Sequence, residues 1–298
     1  MENMRNHSDR HAYLILCHNQ FRILCRLLTA LDDERNDIYI HVDKKTKDVP
    51  FAQLENSICK ARLIFIERLS VNWGGYSMVK AELLLLQEAA KSPHSYYHLI
   101  SGVDYPLKTQ DYIHSFFREN QGKQFISIDH CEERSVEYTD RIRYYYPLQD
   151  KIGRNRGKRI AVYERLQNSL LAIEKRLNID RTKSCPIEIY KGSNWFSITH
   201  DFALYLLRQR ELVDQYFSRG LCADEIFLQS IAYASPYRDS IADNDLRLID
   251  WHRGSPYTFT ISDYEQLIAS DRLFARKFDE KIDVDIVVAL SEFIRNGG

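Results

Sequence analysis

Three groups of residues in this chain have the types and spacing to do chemistry. Asp104 follows the apolar run 97–100 and the break Ser101-Gly102, and Pro106 holds Tyr105 in an extended or turn conformation behind it. An acid on such a corner either makes the turn or meets a ligand at the carboxyl end of a strand. Asp224 and Glu225 lie where the segment 221–229 reads as a helix start. Acids there are favoured by the helix dipole alone, or fix a carboxylate in a cleft. Arg276 and Lys277 are adjacent cations flanked by Phe274, Ala275 and Phe278. Cations set among apolar neighbours need an anion, either a ligand or a nearby acid such as Asp279.

The surrounding pattern alternates strands and helices. Strands are expected at 12–17, 38–42, 62–66, 97–100 and 123–129. Helices are expected at 21–31, at 77–90 and after the cap Thr109. Such alternation predicts an α/β fold with a largely parallel sheet covered on both faces. From about Cys131 the pattern changes. Residues 138–147 are aromatic and charged, and 151–159 carry five cations. Residues 160–177 read as an amphipathic helix. This stretch either approaches an anionic acceptor or lipid head group, or is a solvated loop with its helix. Strand signals return from Ile187 through Trp195 to Thr199, then at 246–251, and a terminal apolar helix follows Asp285.

Composition narrows the function. The 298 residues are 44% apolar with a net charge of −1, enough for a large core and unlike a general nucleic-acid binder. Six cysteines are scattered without a CxxC pair, which predicts neither a zinc site nor a disulfide framework and suits a reducing cytosol. The polar first ten residues and the absence of any transmembrane-length run predict a soluble cytoplasmic product, with peripheral contact at the inner membrane face left open. There is no GxGxxG after the first strand, no P-loop, no HExxH and no G-x-S-x-G. Two DxD strings, Asp243-Asn244-Asp245 and Asp283-Val284-Asp285, lie late in the chain and read as accidental rather than as metal ligands.

Seven fragments, in order, resemble the Core-2/I-branching glycosyltransferases, the family that includes the peptide O-xylosyltransferases. They are Val42-Asp43-Lys44-Lys45, Trp73-Gly74-Gly75 with Ser77, Ser101 to Thr109, Gly192-Ser193-Asn194-Trp195-Phe196, Ala223-Asp224-Glu225, Ile249-Asp250-Trp251 with Ser255-Pro256, and Phe274 to Asp279. The resemblance covers residues 13–285. It implies a single GT-A-type domain over 11–298: a Rossmann-like mixed sheet flanked by helices. Residues 11–130 would form the nucleotide-sugar half, 131–180 an inserted helical and basic segment, and 181–298 the acceptor half.

It further implies inverting transfer from a UDP-sugar, N-acetylglucosamine or xylose, to a hydroxyl of a glycan or lipid-linked saccharide, with no metal and no cofactor. Side-chain cations then stand where other transferases place a divalent ion. The matching positions are Arg276 and Lys277, with Arg253 as a third. Glu225 matches the base. The xylosyltransferase branch has an aspartate where this chain has Asn194, and an amide cannot take that proton at neutral pH. Asp43 and Asp104 would lie on the donor side with His18 nearby. Trp251, Asn194 and Trp195 would face the acceptor, Trp251 either as a stacking platform or as a core aromatic. Two other readings stay open: a DxD metal-dependent transferase, and a non-catalytic saccharide binder on the same scaffold.

Overall fold

The computed structural model describes residues 9–130 and 135–297; Cys131, where the composition changes, lies outside them. Among the described residues there are nine strands: β1 (His11–Cys17), β2 (Asn36–Val42), β3 (Arg62–Phe65), β4 (Tyr96–Ser101), β5 (Asp104–Pro106), β6 (Phe125–Ile126), β7 (Phe196–Thr199), β8 (Arg247–Ile249) and β9 (Phe274–Arg276). The helices are α1 (Phe21–Ala30), α2 (Phe51–Glu55), α3 (Tyr76–Ala89), α4 (Gln110–Glu119), α5 (Ser135–Arg143), α6 (Gln149–Ile152), α7 (Lys158–Arg176), α8 (His200–Arg208), α9 (Arg210–Tyr216), α10 (Phe227–Tyr233), α11 (Tyr264–Ile268) and α12 (Asp285–Arg295).

The main sheet has the order β3-β2-β1-β4-β7-β6. Its first four strands are parallel, β7 runs against β4, and β6 runs against β7, back in the direction of the first four. This is the expected mixed α/β architecture. The central strand β1 shows why the sheet is covered on both faces. Tyr13, Ile15 and Cys17 enter one core with α1, α4 and α12, while Ala12 and Leu14 enter the other with α3, α8 and α10. Alternate side chains point to opposite faces, so a strand apolar at both parities must be buried twice.

Several boundaries differ from the sequence expectation. The strand expected at 123–129 keeps only two ladder residues, because Gln124 instead bridges to Ile241 and its side chain accepts from Thr199 N. Residues 187–190 are not a strand. A second sheet, β5-β9-β8, joins the strand expected at 246–251, shortened to β8, with two segments too short to show periodicity. Pro106, which cannot donate to a ladder, sits on its edge strand. Thr109 caps α4 as expected, accepting from Tyr112 N at 3.2 Å.

Arg247 joins the two sheets. Its buried guanidinium donates to Leu99 O, Phe196 O and Ser197 Oγ at 2.8–3.0 Å, and burial lowers its pKa to about 10. Next to Arg247, and sharing Ser197 Oγ with it, lies a cluster of three buried histidines. His98 bridges His11 Nδ1 (3.0 Å) and Ser197 Oγ (2.9 Å), and His114 packs its ring 3.9 Å from that of His11 and reaches Asn36 Oδ1. Burial holds all three below the ordinary imidazole value, His114 at about 4, with the Arg35 guanidinium adding to the shift there.

A histidine depressed in the fold contributes stability that is complete above its unfolded pKa and is lost as pH falls toward the folded one. His114→Gln should therefore lose less melting temperature than the parent between pH 7.5 and 5.5, by about 3 °C. Calorimetric scans at the two pH values check this; parallel losses in both proteins would refute it.

Candidate active site

The carboxyl ends of β1, β2 and β4 carry the residues expected on the donor side. Asp43 follows β2 and accepts from Lys45 N at 2.9 Å, with Lys45 Nζ 3.6 Å from its other oxygen. Lys45 Nζ also reaches Val71 O and Asn72 Oδ1, tying this corner to the segment before Trp73. His18 is exposed at the end of β1. Desolvation holds it below its ordinary pKa. Lys45, Arg276 and Arg154 add to that shift, and Asp43 opposes it.

Asp104 and Arg276 meet directly. Asp104 Oδ1 accepts from Arg276 Nη1 at 2.7 Å and from Ser101 Oγ at 2.7 Å, while Oδ2 accepts from Ser101 N at 2.8 Å. The register of the second sheet sets this up, because Asp104 on β5 pairs with Arg276 on β9. Asp104 is fully buried and Arg276 is 20% exposed. The expected contact of Asp104 with a donor is therefore corrected: its oxygens are enclosed and committed, and it positions Arg276. Trp195 is likewise corrected. It is buried, and the Arg276 guanidinium lies 4.4 Å over its ring, so it is a floor for that cation and not an acceptor platform.

Lys277 follows on the same strand end, half-buried. Its ammonium has no hydrogen-bond or ion-pair partner among the described residues, and Asp279 does not neutralise it. Arg253 does not extend the pair. Its Nε binds Asp250 (2.6 Å), Nη1 binds Asp263 (2.6 Å) and Nη2 binds Gln266 (3.2 Å), while the guanidinium stacks on Tyr257. Three of its five N–H donors close the 250–266 loop, and the side chain stays 41% exposed. Trp251 is 63% exposed, so it is not a core aromatic.

The acid side is built from three of the motif segments. Glu225 lies in a 3-10 turn, Ala223–Glu225, one turn before α10 rather than in a helix proper. Cys222 enters that turn at φ 49° and donates its N–H to Gly74 O at 2.9 Å. Gly192 N donates to Glu225 O at 2.9 Å, and a Cβ on Gly192 would stand 1.9 Å from Ser127 O. Glu225 Oε2 takes Arg141 at 2.9 Å and Lys191 at 3.9 Å, whereas no protein group among the described residues holds Oε1. With its side chain 36% exposed, one carboxylate oxygen is oriented and the other is open.

Behind Glu225 stand two buried acids. Asp224 Oδ1 and both oxygens of Glu82 on α3 have no hydrogen-bond partner of good geometry. Burial raises Asp224 to about 7, with Glu225 adding to the shift, and raises Glu82 well above the carboxylate range, with Asp224 adding. The Asn194 amide stands close enough to Glu82 to oppose this. Asn194 thus lies against the acids while its neighbour Trp195 carries Arg276, so one loop connects the two sides.

Sequence reasoning missed Arg141, Lys191, Glu82 and the anchoring of the basic segment. Asp150 on α6 accepts from Ser77 Oγ (2.5 Å) and Ser77 N (3.1 Å), Asn72 donates to Asp150 O, and Gln149 donates to Trp73 O. A Cβ on Gly75 would lie 2.1 Å from Asp150 Oδ1, so that glycine is a docking notch. Arg154 then stacks 4.6 Å over the half-exposed Trp73. A charged Glu82 inside the apolar block 81–86 was the visible signal for the buried acids. The long-range latch had no local signal. Three of the four DxD acids have protein partners. Asp243 accepts from Ile128 N and pairs with His130, Asp245 accepts from Arg247 N, and Asp283 accepts from Ile261, Asp285 and Ile286 N–H groups.

A carboxyl raised by the fold contributes stability that is complete below its unfolded pKa and is lost as pH rises toward the folded one. Glu82→Gln should remove that loss. Its melting temperature should gain on the parent's by about 3 °C per pH unit above neutrality. Unfolding scans from pH 6 to 9 test the sign; a gap that stays constant would show that Glu82 is ionised in the fold.

Residues 11–269 match the Core-2/I-branching enzyme family. Xylosyltransferase 2 of Canis lupus familiaris is 24% identical over 310 residues, covering 94% of this chain and 33% of that protein. Xylosyltransferase 1 of Rattus norvegicus is 23% identical over 323 residues, covering 99% and 36%. This chain therefore spans about a third of the curated relatives it matches. The crystal structure of mouse xyloside xylosyltransferase 1 in its apo form superposes with a TM-score of 0.40 at 12% identity, covering 89% of this chain and 96% of that one. With the family match extending over most of its length, this chain belongs to the Core-2/I-branching enzyme family.

Proposed function

We propose that the protein is an inverting glycosyltransferase that moves N-acetylglucosamine or xylose from a UDP-sugar to a hydroxyl of a glycan or lipid-linked saccharide, without a metal. The observation that carries this reading is Lys277: a half-buried cation with no protein partner among the described residues, beside an Arg276 already fixed by Asp104 and Trp195. Such a charge calls for an anion. The family's relatives named above are xylosyltransferases, which makes the diphosphate of a nucleotide sugar the fitting one.

In this reading the acceptor hydroxyl approaches C1 from the side of Glu225. Oε1 takes its proton as the new C1–O bond forms, while Arg141 and Lys191 keep Oε2 in place. The bond from C1 to the diphosphate oxygen breaks with its electron pair going to the phosphate. Negative charge grows there, where Lys277 and the remaining donors of Arg276 are already placed, so little reorganisation is needed. Asp43 and His18 border the nucleoside end. Exposed Trp251 offers an apolar face to the acceptor sugar. Asn194 supports the acid side through Glu82 and takes no proton.

Glu225→Gln should abolish transfer and leave UDP affinity within about twofold, because the amide keeps the shape but cannot act as a base. Calorimetric UDP titration alongside a transfer assay checks this, and undiminished transfer would reject the assignment. Lys277→Ala should weaken UDP binding and lower turnover ~10²–10³-fold. Normal values for both would remove it from the donor site. Transfer should also persist in excess EDTA. Activity lost there and restored by Mn²⁺ would favour a metal-dependent transferase.

A further inference from the structure

The helix α7 carries a feature that sugar transfer does not use. Val162, Leu166, Leu170, Ile173 and the C-cap Leu177 recur at helical spacing and are 37 to 66% exposed. They supply five of the eleven large apolar side chains that are exposed among the described residues. An amphipathic helix usually turns such a stripe toward its own core. Here α7 is held to the protein by polar groups instead. Buried Gln167 accepts from Leu148 N and donates to Gln149 Oε1, and Glu174 accepts from Tyr145 N.

At 100° per residue, Lys158, Arg165 and Arg176 fall along one edge of the stripe. The segment 151–177 holds eight cations and two acids, a net +6 in a chain whose total is −1. We propose that this face of α7 docks on an anionic lipid surface, lying in the plane of the interface. Aliphatic side chains would enter the acyl boundary while the flanking cations meet lipid phosphates, the arrangement expected of an interfacial helix. No helix among the described residues is long and apolar enough to cross a membrane. A second copy of the chain suits the face less well. A two-fold antiparallel pairing of the stripes would bring each cation edge against its own copy.

The docking is independent of the transfer chemistry, and so is its test. The full chain should float with vesicles of phosphatidylcholine mixed with phosphatidylglycerol, and not with phosphatidylcholine alone, and added salt should weaken this. Two triple variants separate the contributions: Leu166→Gln/Leu170→Gln/Ile173→Gln, and Lys158→Ser/Arg165→Ser/Arg176→Ser. Each should lower vesicle binding more than ~10-fold. Near-ultraviolet circular dichroism should show both folded, and any UDP-sugar hydrolysis measured without lipid should match the parent. Failure of the parent to bind the mixed vesicles, or binding that neither variant lowers, overturns the proposal. A parent dimer by light scattering that the apolar triple dissolves would assign the face to a second copy. Absent hydrolysis in the parent would count against the transferase reading alone.

Discussion

The site depends on one buried ion pair, Asp104 with Arg276. A carboxylate with no exposure has lost its water, and the guanidinium together with Ser101 N and Oγ replaces it. Removing one member of such a pair typically costs ~3–5 kcal/mol, because the other is left buried and uncompensated. The pair also sets geometry. It ties the exit of β4 to β9, and with Arg276 immobilised between Asp104 and the Trp195 ring, Lys277 has little freedom in where it sits. Neutralising Arg276 internally while leaving its neighbour unmatched creates a local excess of one positive charge at a fixed place.

The opposite wall obeys a different constraint, close backbone approach. Gly192 lets the Ser127 carbonyl come within reach, Gly75 admits the Asp150 carboxylate, and Gly74, at φ 71°, receives Cys222. These contacts place Glu225 by main-chain hydrogen bonds, leaving its carboxylate to two long cations on one oxygen. The buried Asp224 and Glu82 behind it are kept from ionising together by desolvation and mutual repulsion. Glu225 is therefore the partly exposed acid of the three, and the two enclosed ones form a polar backing.

Much of this was legible in the chain. The strand-helix alternation and the Thr109 cap follow from local patterns, and the family follows from motif order. What was not legible depends on partners far away in sequence. Asp104 reads as a ligand contact until β9 is known to pair with β5. Trp195 reads as a platform until Arg276 covers it. Arg253 reads as a free cation until the loop folds back and delivers Asp263 and Gln266 to it. The basic segment 151–159 reads as either solvated or functional, and only the Asp150–Ser77 contact shows that it is latched beside the cleft. Three-residue strands such as β5 and β9 leave no periodicity to detect, since one alternation is shared by many turns.

The reversal of β7 has a topological consequence. Along the parallel strands, the rim at their carboxyl ends is formed by connections that leave a strand: His18 after β1 and Asp43 after β2. Because β7 descends against β4, with Leu99 opposite Phe196 and Tyr96 opposite Thr199, the connection at that same rim is the one arriving at the strand. Insertions tolerated just downstream of the first strands would disturb the cleft, whereas around β7 the sensitive side is upstream, at 191–195, and the link into α8 lies a full strand length away from the chemistry.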